Sequence, residues 1–108
     1  METKELTTEE KNCPLEKAVR AISGKWKIAI IWQIGKGEKR PSEFLRSIGK
    51  ADRRVLSQQL SEMVTDGLLI KTAYNELPPR VEYTLTPKGE DLVKILWELN
   101  EWGKQLHD

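Results

Sequence analysis

Apolar residues along the chain recur at two different spacings, and the changes of spacing divide it into elements. From Cys13 to Ser23, Leu15, Ala18, Val19 and Ile22 fall three and four residues apart, which predicts a short helix with one apolar face. Pro14 suits its first turn, where a missing N–H would have had no intrahelical acceptor. "SGKW" breaks that pattern. A second helix is predicted from about Lys25 to Ile34, with Ile28, Ile31 and Trp32 facing inward and Gly35 as its stop. The polar "KGEKR" is a connection with a brief edge strand at Lys39 and Arg40. "PSEFLRSIG" then reads as a short helix with Ser42 at its N-cap, Phe44, Leu45 and Ile48 inward, and Gly49 at its end. After a tight "GKA" turn, Asp52 caps a longer helix from Arg53 to Asp66, stopped by Gly67.

The period then drops to two. "LLIKTAY" and "RVEYTLT" both favour strand, and in the second Val81, Tyr83 and Leu85 alternate with Glu82, Thr84 and Thr86. "NELPP" between them is a turn-rich tip, so the two strands form a hairpin. Helical spacing returns near Pro87 and continues to about Gln105. Two helices joined by a short glycine-containing turn and followed by a hairpin are the element order of a winged helix. The expected fold is mainly α with a small β-hairpin (α+β): a winged helix-turn-helix with N- and C-terminal dimerisation helices.

On the helix from Arg53 to Asp66, Leu56, Leu60, Met63 and Val64 share one stripe, while Arg54, Gln58, Ser61 and Thr65 lie opposite. The second helix of such a motif meets base edges mainly with its N-terminal residues, here Arg53, Arg54, Ser57 and Gln58. Arginine forks onto guanine O6 and N7, and glutamine pairs with adenine N6 and N7. In the hairpin, Pro78 and Pro79 stiffen the tip beside Arg80, which is assigned to a minor groove or a phosphate. Pairing of Arg80 with Glu76 or Glu82 is the structural alternative. Arg40 and Ser42 are expected phosphate contacts, with Lys25 and Lys27 as weaker candidates.

The charge distribution fits either one positive face or an ordinary solvated surface. The net charge of +1 conceals a segment from Cys13 to Arg54 with eleven basic residues against four acidic ones. The flanks are acidic: two lysines against four glutamates over 1–12, and five basic against nine acidic residues over 55–108. At 108 residues the chain is expected to be a flexible arm, 1–12, and one domain, 13–108. No apolar run has the roughly 18 residues of a membrane span, and "METKELTTEEKN" is too polar for a signal peptide, so a cytoplasmic location is expected. A single cysteine and a single histidine, His107, provide neither an internal disulfide nor a metal cluster, and no cofactor is expected. Neither a phosphate loop nor a nucleophile–base pair appears, so no enzyme is expected.

Taken together, "CPLEKAVRAISGKWKIAIIWQI", "RPSEFLRSI", "VLSQQLSEMVTDGLLIKTAY", "PPRVEYTLTPKGEDL" and "LNEWG" resemble the HxlR-type transcriptional regulators, a MarR-like branch of winged-helix proteins. The likeness spans nearly all of Cys13 to Gly103. It implies a homodimeric regulator on an approximately palindromic operator, with Arg80 on the wing. Where many relatives begin the recognition helix with an apolar residue and serine, this chain has Ala51-Asp52. Aspartate caps a helix as well as serine does, but its charge lies near the expected phosphates.

The last helix points to the same assembly. Leu92, Ile95, Leu96, Leu99, Trp102 and Leu106 form an apolar band, with Val93 and Trp97 on a second side, too wide for one small domain to cover. A partner helix is the expected cover, giving two recognition helices roughly 34–36 Å apart. Cys13 precedes the first helix, where backbone N–H groups favour a thiolate; the family resemblance implies oxidant or electrophile sensing there, against the alternative of a small buried apolar group. Without a second cysteine in the chain, the available products are an intersubunit Cys13–Cys13 disulfide, a mixed disulfide or an alkylated thiol. The competing function is a winged-helix module that docks on protein without touching DNA. A small-molecule effector is left open and unidentified.

Overall fold

The computed structural model describes residues 13–107; the arm expected over 1–12 lies outside them. In chain order the elements are α1 (Pro14–Ile22), α2 (Lys27–Gly35), α3 (Pro41–Ile48), α4 (Arg53–Thr65), β1 (Leu69–Tyr74), β2 (Arg80–Leu85) and α5 (Pro87–Gly103). The expected α+β class and element order are found, with boundaries moved by a residue or two. The strands form a two-stranded antiparallel hairpin, paired from Leu69 with Leu85 to Tyr74 with Arg80. No strand forms at Lys39 and Arg40; a single bond from the Tyr83 N–H to the Lys39 carbonyl, 2.8 Å, ties that loop to β2.

The core forms where four elements meet α2. Ile30, Ile31 and Ile34 of α2 are buried against Phe44 of α3 and Leu56, Leu60 and Met63 of α4. The hairpin adds Leu69 and Tyr83, and α5 adds Leu96. Each such side chain contributes about 1.5–3 kcal/mol through the apolar surface it withdraws from water. Burial also pushes the Tyr83 phenol above its ordinary value of 10.0.

The buried stripe of α2 is rotated from the one expected. Lys27, Ile30, Ile31 and Ile34 face inward, and Ile28 is 44% exposed. Lys27 therefore leaves the list of phosphate candidates. Its ammonium is buried and lies 2.6 Å from the Glu62 carboxylate on α4. Beside it, the Gln59 side-chain oxygen accepts the Trp26 N–H at 2.8 Å, which satisfies a backbone donor where α2 has no cap of its own. Together they lock α2 to the inner face of α4.

Two further expectations are corrected. Ser42 does not cap α3. Pro41 takes the first helical position and Arg40 is the N-cap, while Glu43 reaches back to accept the Lys39 and Arg40 N–H groups, both at 2.9 Å. Those two bonds hold the Glu43 carboxyl below its ordinary range. Leu96 belongs to the chain's own core, at 3% exposure, because α5 turns that residue toward α2.

Helix α5 starts from a tight joint. The Thr86 hydroxyl accepts the Gly89 N–H at 3.1 Å and donates to the Gly67 carbonyl at 2.5 Å. A Cβ on Gly89 would overlap the Leu68 carbonyl oxygen, so only glycine lets α5 approach β1 this closely.

Gly89→Ala is therefore expected to cost about 1–3 kcal/mol in denaturant unfolding. In the same measurement Glu62→Ala, which leaves a buried ammonium unpaired, is expected to cost about 1–3 kcal/mol. Lys27→Met, which removes the charge and keeps the stem, is expected to cost less than Glu62→Ala. The reverse order would show that the ion pair does not hold α2 to α4.

Candidate nucleic-acid interface

The candidate surface is built on α4, and its orientation follows from the turn that precedes it. Gly49 ends α3 with φ +76°, a left-handed conformation that a side chain would strain. Asp52 then caps α4, its Oδ1 accepting the Arg54 N–H at 2.8 Å and the Val55 N–H at 3.3 Å. With Leu56, Gln59, Leu60 and Met63 buried, helical geometry turns Arg53, Arg54, Ser57, Gln58 and Ser61 outward, and all five are exposed. Neither Arg53 nor Arg54 enters an ion pair among the described residues.

A second set of residues meets between α3 and the hairpin. Arg40, Pro41, Ser42, Glu76, Pro78, Pro79, Arg80 and Val81 line an open groove of about 540 Å³. Arg40 and Ser42 are exposed at the start of α3. Arg80 begins β2 instead of standing free at the tip, and is about one-third exposed. Its Nη2 lies 3.3 Å from Glu76 Oε1, its Nε 3.7 Å from Glu82 Oε2, and its guanidinium carbon 4.0 Å from the centre of the Tyr74 ring. Arg80 thus makes both of the ion pairs named as its structural alternative.

Lys25 is not part of this surface. It lies over the Trp26 ring, 5.1 Å from its centre, and lines a different groove with Ile28, Trp32, Leu96 and Leu99 between α2 and α5. Two contributors escaped the sequence reading: Tyr74 and Gln59. Pairing of Thr72 with Glu82 and of Tyr74 with Arg80 sets Tyr74 diagonal to Glu82, a relation that hairpin register alone would have exposed. Gln59 carried no such signal, since its partner is the backbone of a residue far away in sequence.

The residues assigned to dimerisation lie elsewhere on the molecule. Ile95, Leu99, Trp102 and Leu106 are each about half exposed, Leu92 is half-buried, and Trp97 packs on Trp32 with ring centres 4.8 Å apart. No residue of α1 is buried: Leu15 and Val19, on its expected apolar face, are 74% and 49% exposed. Cys13 caps α1, its sulfur accepting the Glu16 N–H at 3.5 Å, and it is partly exposed. Among the described residues no cluster of histidine, cysteine or carboxylates is placed to hold a metal ion, and no helix is long and apolar enough to cross a membrane.

Comparison with known proteins places this architecture. The family described as HxlR-like helix-turn-helix matches residues 21–108. An uncharacterised HTH-type transcriptional regulator of Methanothermobacter thermautotrophicus is 45% identical over 92 residues, which cover 85% of this chain and 70% of that one. The HTH-type transcriptional regulator YybR of Bacillus subtilis is 36% identical over 107 residues, 99% of this chain and 86% of its own. Among solved structures, the redox regulator HypR in its oxidised form superposes with a TM-score of 0.80 at 38% identity, covering 89% of this chain and 99% of its own. With a winged α+β fold, an outward polar face on α4 and these relatives, the chain belongs to the HxlR-like helix-turn-helix family and is a transcriptional regulator of the helix-turn-helix type.

Proposed function

We propose that this regulator binds duplex DNA as a homodimer, with α4 in the major groove and the wing against the adjacent backbone. The observation that carries the reading is the outer face of α4. Arg53, Arg54, Ser57 and Gln58 are exposed together on its first two turns, and its two arginines enter no ion pair among the described residues. Base edges are read by such N-terminal residues. Arg40, Ser42 and Arg80, which meet between α3 and the hairpin, serve as backbone contacts. Lys25 has no part in it, because it lies on the α2–α5 side.

The dimer is supported by the uncovered apolar surface. Leu15 and Val19 on α1, with Ile95, Leu99 and Trp102 on α5 and Leu106 beyond it, expose far more than scattered single residues would. A second copy related by a twofold axis covers the same residues on both subunits and sets two α4 helices roughly 34–36 Å apart.

Cys13 has a regulatory role in this reading. The structural relative HypR is named a redox regulator. Here the partly exposed sulfur sits at the start of α1, beside the apolar residues assigned to the dimer. A small disulfide oxidises the thiol by exchange: the Cys13 thiolate forms a mixed disulfide and one thiol of the reagent leaves. In a dimer, attack by the second Cys13 releases the other reagent thiol and leaves an intersubunit disulfide.

Duplex binding is expected to weaken steeply as salt rises, by the release of counterions from the phosphates. Arg54→Ala is expected to erase about 1–3 kcal/mol of discrimination at one base position, and Arg80→Ala to weaken all sequences while lowering the salt slope by about one. Duplex affinity indifferent to salt would favour the protein-docking module instead. For the thiol, modification of wild type by a small disulfide is expected to lower duplex affinity, with Cys13→Ser unresponsive. Unchanged binding by fully modified wild type would remove Cys13 from the mechanism.

A further inference from the structure

Arg80 is held between two carboxylates that differ in how firmly they are themselves fixed. Glu82 is the inner one. Its side chain is only 15% exposed, it accepts the Tyr74 hydroxyl at 3.3 Å, and its Oε2 lies 3.7 Å from both Arg40 Nε and Arg80 Nε. The Tyr74 ring covers one face of the Arg80 guanidinium. Glu76 is the outer one. Its side chain is 50% exposed on the wing tip, and its only ion pair among the described residues is the 3.3 Å contact with Arg80 Nη2.

That outer edge borders the open groove between the wing and the start of α3, where Arg40 and Ser42 also lie. A guanidinium meets carboxylate and phosphate oxygens through the same fork of N–H donors. Glu76 therefore occupies an edge of Arg80 that would otherwise face an anion in the groove.

We propose that Glu76 is an intramolecular stand-in for a DNA phosphate. It holds the outer edge of Arg80 in the free protein and yields it to the phosphate on binding. Glu82 keeps the inner edge throughout and sets the direction of the guanidinium, so it is a positioning residue. This inference rests on the DNA-binding reading above. A half-exposed ion pair is weak and easily exchanged in water, whereas the incoming phosphate also releases counterions. Arg80 is already ordered before DNA arrives, so little side-chain freedom is lost at the contact.

The test is a double-mutant cycle in duplex titrations at one fixed, low salt concentration, using wild type, Glu76→Gln, Arg80→Ala and the double variant. Glu76→Gln is expected to tighten wild-type binding by about fivefold, the worth of an exposed ion pair. It is expected to gain nothing in the Arg80→Ala background, because the competition runs through Arg80. An equal gain in both backgrounds would mark Glu76 as no more than a repulsive charge near the DNA and overturn the proposal. No gain in wild type would overturn it as well, while leaving DNA binding intact. Wild type that binds no duplex at all would overturn the DNA-binding reading and this inference together. Glu76 lies on an exposed tip, and matching thermal melts of the four proteins exclude a folding effect.

Discussion

Everything on the outer surface of α4 depends on how its inner surface packs. Leu56, Gln59, Leu60 and Met63 are held against α2 by close packing with Ile30 and Ile31, by the Gln59 bond to the Trp26 N–H and by the Lys27–Glu62 pair. A helix is a rigid rotor, so four buried positions determine the direction of the rest. Arg53, Arg54, Ser57 and Gln58 project outward because the core leaves them nowhere else to go. Polar anchoring matters here because hydrophobic contact is non-directional and tolerates rotation. The bond from a single amide and the contact of one buried ammonium do not.

A small domain has limited means of covering apolar surface, and this one distributes the shortfall unevenly. The hairpin, α2, α3 and α4 close around Phe44 and Met63, both fully buried. Helix α5 gives only part of its apolar face to that core, and α1 adds no buried residue to it. Leu92, Val93 and Leu96 of α5 turn inward, while Ile95, Leu99, Trp102 and Leu106 remain in contact with solvent. Helices α1 and α5 therefore both carry exposed apolar residues. Cys13 caps the helix that carries one share of them.

The wing balances charge more locally than the net charge of its segment suggests. Arg40, Arg80, Glu76 and Glu82 interleave around Tyr74, so the groove between wing and α3 is bounded by cations that already have carboxylate partners. The arginines of α4 have none among the described residues. The same residue type thus stands in two electrostatic settings, one open to an incoming anion and one requiring exchange.

Much of this was legible in the chain. The helical period and the switch to alternation at "RVEYTLT" determined the element order, because burying one face of each element requires that spacing. Capping by Asp52 and the left-handed turn at Gly49 were equally local matters of backbone chemistry. Tertiary packing decided the rest. Lys27 and Ile28 are neighbours with opposite expectations, and only the position of Glu62 on another helix sends the lysine inward and the isoleucine out. Leu96 and Leu99 look alike in one apolar band, yet the approach of α2 buries the first and leaves the second exposed. Ser42 lost its cap to a proline and a glutamate on either side of it. Periodicity reports that a face is apolar; what covers that face depends on elements distant in sequence, whose positions no local pattern encodes.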